Sequence, residues 1–173
     1  MDYESPRSRE LGCWNAPEGL TPVIEGWTSN TPTPDFQPGE DFTNFLLSSG
    51  FGESCTDEAK AFWTAEIARN YAGDDGRKRA RMCTINLRDR DGLYGRLADV
   101  RCPVMWIHGG SDKVYAYANA EREIGLFVNS PDATLTKVEK GEHFLSFSHP
   151  EEVDGRVVEF VGMYSGGGRA KLA

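Results

Sequence analysis

The sequence predicts an α/β fold in which an all-helical stretch precedes a strand–helix–strand–helix unit. Three observations carry that expectation. Residues 104–107, Val-Met-Trp-Ile, form a continuous apolar run that stops at Gly109-Gly110-Ser111, the pattern of a buried strand ending in a turn. "ATLTKVE" at 133–139 alternates and is rich in Thr and Val, which marks a second strand. "AYANAEREIGLFV" at 116–128 and "HPEEVDGRVVEFVGMY" at 149–164 carry apolar residues at helical spacing. Two strands joined by a helix imply a parallel crossover unit.

Taken in order, residues 1–39 show neither period and are expected to be an irregular segment leading into the helices. Residues 28–41 hold three prolines and a glycine and read as loop. Asp41 can cap a helix in which Phe42, Phe45 and Leu46 form a stripe, and Gly50 and Gly52 end it. In "TDEAKAFWTAEIARNYAG", residues 56–73, Thr56 is a good N-cap and Asp57 and Glu58 suit the positive end of the helix dipole. Ala59, Phe62, Trp63, Ile67 and Tyr71 fall on one face, and Gly73 stops the helix. A further helix is expected from about Asp75 to Leu87, with Met82 and Ile85 inward, then a short helix or turn over 88–100. Residues 40–100 thus form a helical unit and 101–164 the strand-containing unit. The last helix opens at Pro150 and should bury Val153, Val157, Phe160, Val161 and Tyr164. Residues 165–173, ending "SGGGRAKLA", read as a flexible tail.

Composition narrows the function classes. The 173 residues suffice for one domain, and 39% hydrophobic with 27% charged residues is ordinary for a soluble protein. A net charge of −8 opposes binding to nucleic acid or anionic membrane. No run approaches the roughly 20 apolar residues of a membrane span, and the first ten residues lack the apolar core of a secretory leader. The cysteines at 13, 55, 83 and 102 form no C-x-x-C pair and lie at no zinc-ligand spacing from the histidines. Reduced and mostly buried thiols in a cytoplasmic protein are the expectation. Neither G-x-G-x-x-G nor G-K-[ST] is present, so no nucleotide-phosphate loop is expected.

Functional groups in parallel α/β folds gather at the carboxyl ends of the strands. Two loops leave such ends here, "GGSD" with Asp112 and "KGEHFLSFSHP" with His143. Both project from the same sheet edge, where a carboxylate can fix an imidazole's tautomer and stabilise its protonated form. The two glycines are expected to let the chain turn sharply off the strand. His108, at the strand end, should be half-buried, and His149 should be an N-terminal helix residue. The basic run "RKRAR" at 77–81 reads as a solvated helix face.

Together, "CPVMWIHGGSDKVY" (102–115) and "GEHFLSFSHPEEV" (141–153) resemble the C-terminal third of an α/β-hydrolase. In that family the acid follows the seventh strand in a G-x-x-D turn, matched by Gly109-Gly110-Ser111-Asp112. The base follows the eighth strand just after a glycine, matched by Gly141-Glu142-His143, with Pro150 and Val153 opening the last helix. Residues 40–100 resemble the helical cap inserted after the sixth strand. The resemblance covers residues 40–164 and implies a partial α/β-hydrolase fold, a cap followed by the last two parallel strands and their helices. It implies serine-type hydrolysis of an ester, amide or related bond in a small-molecule substrate. Asp112 would orient His143, His143 would relay the proton, and no metal or organic cofactor is needed. Phe62, Trp63 and Tyr71 would line a substrate pocket under the cap; the same residues suit a helix packing face equally.

The sequence departs from the family at the nucleophile. No G-x-S-x-G turn is present. Gly52-Glu53-Ser54-Cys55-Thr56 lacks the last glycine and follows a helix, so Ser54 reads as a loop or capping residue. His108-Gly109-Gly110 imitates an oxyanion-hole turn but lies on the acid loop. The expectation is an N-terminally truncated hydrolase, inactive alone, whose first strand leaves an open edge suited to self-association. A second expectation, from another class, is a non-catalytic binding or interaction protein built from the cap and the C-terminal lobe.

Overall fold

A computed structural model describes residues 6–89 and 92–165. In chain order the elements are α1 (Pro6–Glu10), α2 (Ala16–Gly26), α3 (Glu40–Phe51), a 3₁₀ turn (Gly52–Ser54), α4 (Asp57–Tyr71) and α5 (Gly73–Asp89). A second 3₁₀ turn (Tyr94–Asp99) leads to β1 (Val104–Gly109), α6 (Tyr117–Ile124), β2 (Ala133–Val138), α7 (Leu145–Ser148) and α8 (Pro150–Ser165). The fold is mixed α/β. Its sheet has two strands among the described residues, parallel, running in register from Val104 opposite Ala133 to Gly109 opposite Val138. The strands thus lie where the pattern placed them, while the crossover helix expected over 116–128 ends at Ile124. Of the expected flexible tail, Ser165 belongs to α8 and the remainder lies outside the described residues.

Helix boundaries follow local chemistry. The Thr56 hydroxyl caps α4 by accepting the Ala59 N–H at 3.2 Å. Gly73 takes a positive φ of 71°, which lets the chain reverse between α4 and α5 and begin α5 two residues earlier than expected. At α3 the cap position belongs to Gly39 rather than Asp41, which sits in the first turn with Glu40. Both acids there still face the positive end of the helix dipole.

The expectation of an irregular segment over residues 1–39 is corrected. α2 supplies Ala16, Leu20 and Ile24 to a buried cluster completed by Val114, with Trp14, Ile85, Leu87 and Tyr115 packed around it. These three residues are spaced four apart, one stripe of a helix. Pro22 and two glycines obscured that stripe. Pro17 is tolerated in the first turn, whereas Pro22 lies inside α2 and leaves the Glu18 carbonyl without its N–H donor. α2 packs along α5 and, through Val114, against the loop that follows β1. It therefore joins the helical unit to the sheet.

Two expected buried faces are also corrected. α8 carries its apolar stripe, but Val157, Val161 and Tyr164 are exposed, with Val161 at 53%. Its main helical contact is α7, and a helix of 4 residues cannot cover one of 16. α4 buries no residue fully, and on α5 Met82 is exposed while Ile85 packs against the core. No helix among the described residues is long and apolar enough to cross a membrane.

The basic run at 77–81 divides. Lys78, Arg79 and Arg81 stay outside, but Arg77 is only 5% exposed. Its guanidinium donates to the Thr33 hydroxyl at 2.6 Å, the Trp27 carbonyl at 2.5 Å and Asp74 at 3.0 Å. Lys78, Arg77 and the Thr33 N–H together hold the Asp74 carboxyl well below the usual carboxylate range. This cluster anchors the proline-rich segment to α5. Arg77→Met should strand the Trp27 carbonyl and remove one of the donors to Asp74, lowering stability by about 2 kcal/mol, read as a shift in the urea midpoint; no shift would show that the cluster is ornamental.

Candidate active site

The carboxyl ends of β1 and β2 bring the two predicted residues together. Asp112 Oδ2 lies 3.0 Å from His143 Nδ1. The other carboxylate oxygen, Oδ1, accepts the N–H groups of Val114 at 2.7 Å and Tyr115 at 2.9 Å. Asp112 is thus gripped by its own loop on one oxygen and presents the other to the imidazole. The Asp112 side chain is 7% exposed and that of His143 26%, so the acid is buried and the base reaches solvent. The His143 ring sits beside the rings of Tyr115, at 5.6 Å, and Phe144, at 5.4 Å.

Burial alone would raise the Asp112 carboxyl. The hydrogen bond from His143, the Tyr115 N–H, the nearby imidazole charge and the Val114 N–H outweigh it and hold the group below its ordinary value. A depressed folded value means that Asp112 contributes stability above the unfolded carboxylate pKa of about 3.9, and that this share is lost as pH falls through the folded value. Asp112→Asn should therefore flatten the stability profile below about pH 4, measured by urea melts across the acid range.

The loops are held by several straps. The Ser111 N–H donates to the Gly141 carbonyl at 2.8 Å, linking the acid loop to the histidine loop. The Trp14 N–H donates to the Val114 carbonyl at 2.9 Å. His108, expected to be half-buried, is only 4% exposed, and its Nε2–H donates to the Tyr115 carbonyl at 2.9 Å. It pins the far end of the acid loop. His149 lies between α7 and α8, with Nδ1 3.0 Å from the Ser148 hydroxyl, apart from the pair.

The glycines of the acid loop act differently from the expectation. Neither Gly109 nor Gly110 has a positive φ. A Cβ on Gly109 would sit 2.4 Å from the Gly141 carbonyl oxygen and 2.6 Å from that of Glu142. One on Gly110 would sit 2.5 Å from the Glu139 carbonyl oxygen. The glycines are needed because the histidine loop lies directly on them. Gly109→Ala should push the two loops apart, cost about 1–3 kcal/mol, and weaken the Asp112–His143 hydrogen bond; an imidazole N–H signal unchanged by NMR would contradict this.

Of the three aromatics proposed for a pocket, the structure places one, Trp63, in a cavity that Phe144 also lines. An apolar cavity of about 450 Å³ is lined by Leu46, Leu47, Phe51, Trp63, Phe144 and Phe147, among others. Trp63 stacks on Phe51 at 5.9 Å, and Phe144, the neighbour of His143, forms part of the wall. Phe62 is 58% exposed and packs on the edge of Trp63 outside this cavity. Tyr71 lines a separate, smaller space with Leu20, Phe42 and Cys83. Burial pushes its hydroxyl pKa up, with Cys83 adding to the rise. Helical spacing put the three on one face, but the face is split by what packs on each side. Neither His143 nor Asp112 is in the wall of the 450 Å³ cavity, and a wider, polar cleft of about 570 Å³, bounded by Asp41, Asn44 and Lys60, also has no histidine in its wall.

Among the described residues, no hydroxyl or thiol is hydrogen-bonded to His143, and Ser54 lies in the 3₁₀ turn after α3. No group of three or more His, Cys, Asp or Glu residues suited to a metal occurs among them. No known family model matches the chain, and no curated protein matches it in sequence.

Proposed function

We propose that Asp112 and His143 are the acid and base of a serine-type hydrolase of the α/β-hydrolase class, acting on an ester, amide or related bond. The observation that carries this reading is the Asp112 Oδ2–His143 Nδ1 contact of 3.0 Å, with the other Asp112 oxygen held by two backbone N–H groups. A carboxylate on Nδ1 keeps the proton there and leaves Nε2 as the acceptor, the form a general base must have. When Nε2 takes a proton from an attacking hydroxyl, the buried carboxylate stabilises the resulting imidazolium. The cavity walled by Trp63 and Phe144 suits the apolar part of a small-molecule substrate. Among the described residues no hydroxyl is bonded to His143, so the nucleophile of this reading is left for the labelling experiment to locate.

The test is to capture the protein from cells that make it, through an epitope on this chain, and treat it with a fluorophosphonate, which labels activated serines. Labelling of a serine, lost in a His143→Ala variant, is the expected result. An unlabelled protein would reject the catalytic reading. That outcome would favour a binding or interaction protein, which a specific observation also suits. Among the described residues β1 pairs on one side only, and the exposed Val158 and Val161 of α8 offer an apolar surface.

A further inference from the structure

The residues on either side of His143 are locked into the C-terminal end of α3. Glu142 is 6% exposed, and its Oε1 accepts the Glu53 N–H at 3.2 Å. Its carboxyl group occupies the space a side chain on Gly52 would need: a Cβ there would lie 2.2 Å from the carboxyl carbon. Gly52 also has a φ of 52°, which favours glycine. On the other side, the Phe144 N–H donates to the Gly50 carbonyl at 2.8 Å. A Cβ on Gly50 would lie 2.3 Å from the Phe144 ring. Between these two glycines, Phe51 is 5% exposed and meets Phe144 and Phe147 edge-on at 5.0 Å and 4.6 Å. Gly50-Phe51-Gly52 therefore meshes with Glu142-His143-Phe144, residue triplet against residue triplet. The opposite side of the histidine loop is fixed by the Ser111–Gly141 bond.

We infer that Glu142 is a positioning residue: its bond to the Glu53 N–H, with Phe144 on Gly50, latches the α3 turn to the histidine loop and sets His143 against Asp112. The inference rests on the reading of Asp112 and His143 as an acid–base pair, and adds a residue that touches neither Asp112 nor any substrate. The residue before His143 is tied through its side chain and the residue after it through its backbone N–H, so the imidazole between them loses the freedom to swing away from the carboxylate. α3 also supplies Leu46, Leu47 and Phe51 to the cavity wall, so the latch joins the wall to the base.

The experiment is NMR-detected hydrogen exchange of the His143 Nδ1–H and the Glu53 and Phe144 amides, in the unmodified chain and in Glu142→Gln, Glu142→Ala and Gly52→Ala. The Gln amide oxygen can still accept from Glu53, so Glu142→Gln should keep the His143 proton protected. Glu142→Ala should speed its exchange by about tenfold or more, the factor for one lost charge-assisted hydrogen bond. Gly52→Ala, which displaces the carboxyl group from the cap side, should do the same. A merely structural role would lower the melting temperature and leave the His143 exchange rate unchanged; a folded Glu142→Ala protein of that kind would overturn the inference. Should neither alanine variant fold, the unmodified protein decides. The three protons should open with one shared free energy in native-state exchange, and a Glu53 amide that opens far more often than the His143 proton would reject the latch. None of these readouts needs turnover, so a failed latch and a failed fluorophosphonate test are separate results.

Discussion

Asp112→Asn is expected to cut fluorophosphonate labelling by about 10⁴-fold while leaving the fold in place. Asparagine has the shape of the carboxylate it replaces. Its carbonyl oxygen can take the place of Oδ1 and accept the Val114 and Tyr115 N–H groups. Its NH₂ group then stands where Oδ2 faces His143 Nδ1. An NH₂ group can only donate, so Nδ1 must become the acceptor and the ring proton moves to Nε2. The nitrogen that should take the nucleophile's proton is then already protonated. The loop geometry survives because the two backbone bonds survive. Imidazole ¹⁵N shifts check the cause independently of any chemistry: the neutral ring should carry its proton on Nδ1 in the unmodified protein and on Nε2 in the variant. Labelling that persists at near-normal rate, or a tautomer that does not change, would count against Asp112 as the orienting acid.

Leu20→Ala is expected to give the largest loss of stability, about 2–5 kcal/mol. Leu20 is 2% exposed and sits between Ala16 and Ile24 on the buried stripe of α2. Removing its isobutyl end leaves a void between α2 and α5, where neither helix can close the gap without losing its other contacts. The damage should also reach the site. Val114 belongs to the same cluster and Tyr115 packs against it, and their N–H groups hold Asp112. Urea unfolding by circular dichroism measures the loss, and the His143 N–H signal reports the coupling. A change below about 1 kcal/mol would show that α2 is not part of the cooperative core.

Several features were legible because they are written in local pattern. The β1 run ends in glycines and an acid, β2 alternates, and Thr56 stands ahead of two acids at the start of α4. Each pattern reflects a constraint a few residues long, either period, cap or turn. The two chemical groups were legible for the same reason, since each follows a strand directly. α2 was hidden because Gly19, Pro22 and Gly26 are local breakers, and only the burial of Ala16, Leu20 and Ile24 against α5 and Val114 outweighs them. Arg77 was misread because a basic run looks the same in sequence whether its members face water or a carbonyl. Glu142 gave no signal beyond a carboxylate next to a histidine, since its partner Glu53 is 89 residues away.

By itself the sequence determined the order of the main elements from α3 onward, the parallel pairing of β1 with β2, and the acid and the histidine that follow them. Tertiary structure decided which carboxylate oxygen faces the ring, why Gly109 and Gly110 must lack side chains, which aromatic walls the cavity, and how Glu142 grips the end of α3. The division has a physical origin. Period and capping are satisfied within one turn or one strand, whereas contacts between distant loops exist only once burial has paid the entropy of bringing them together.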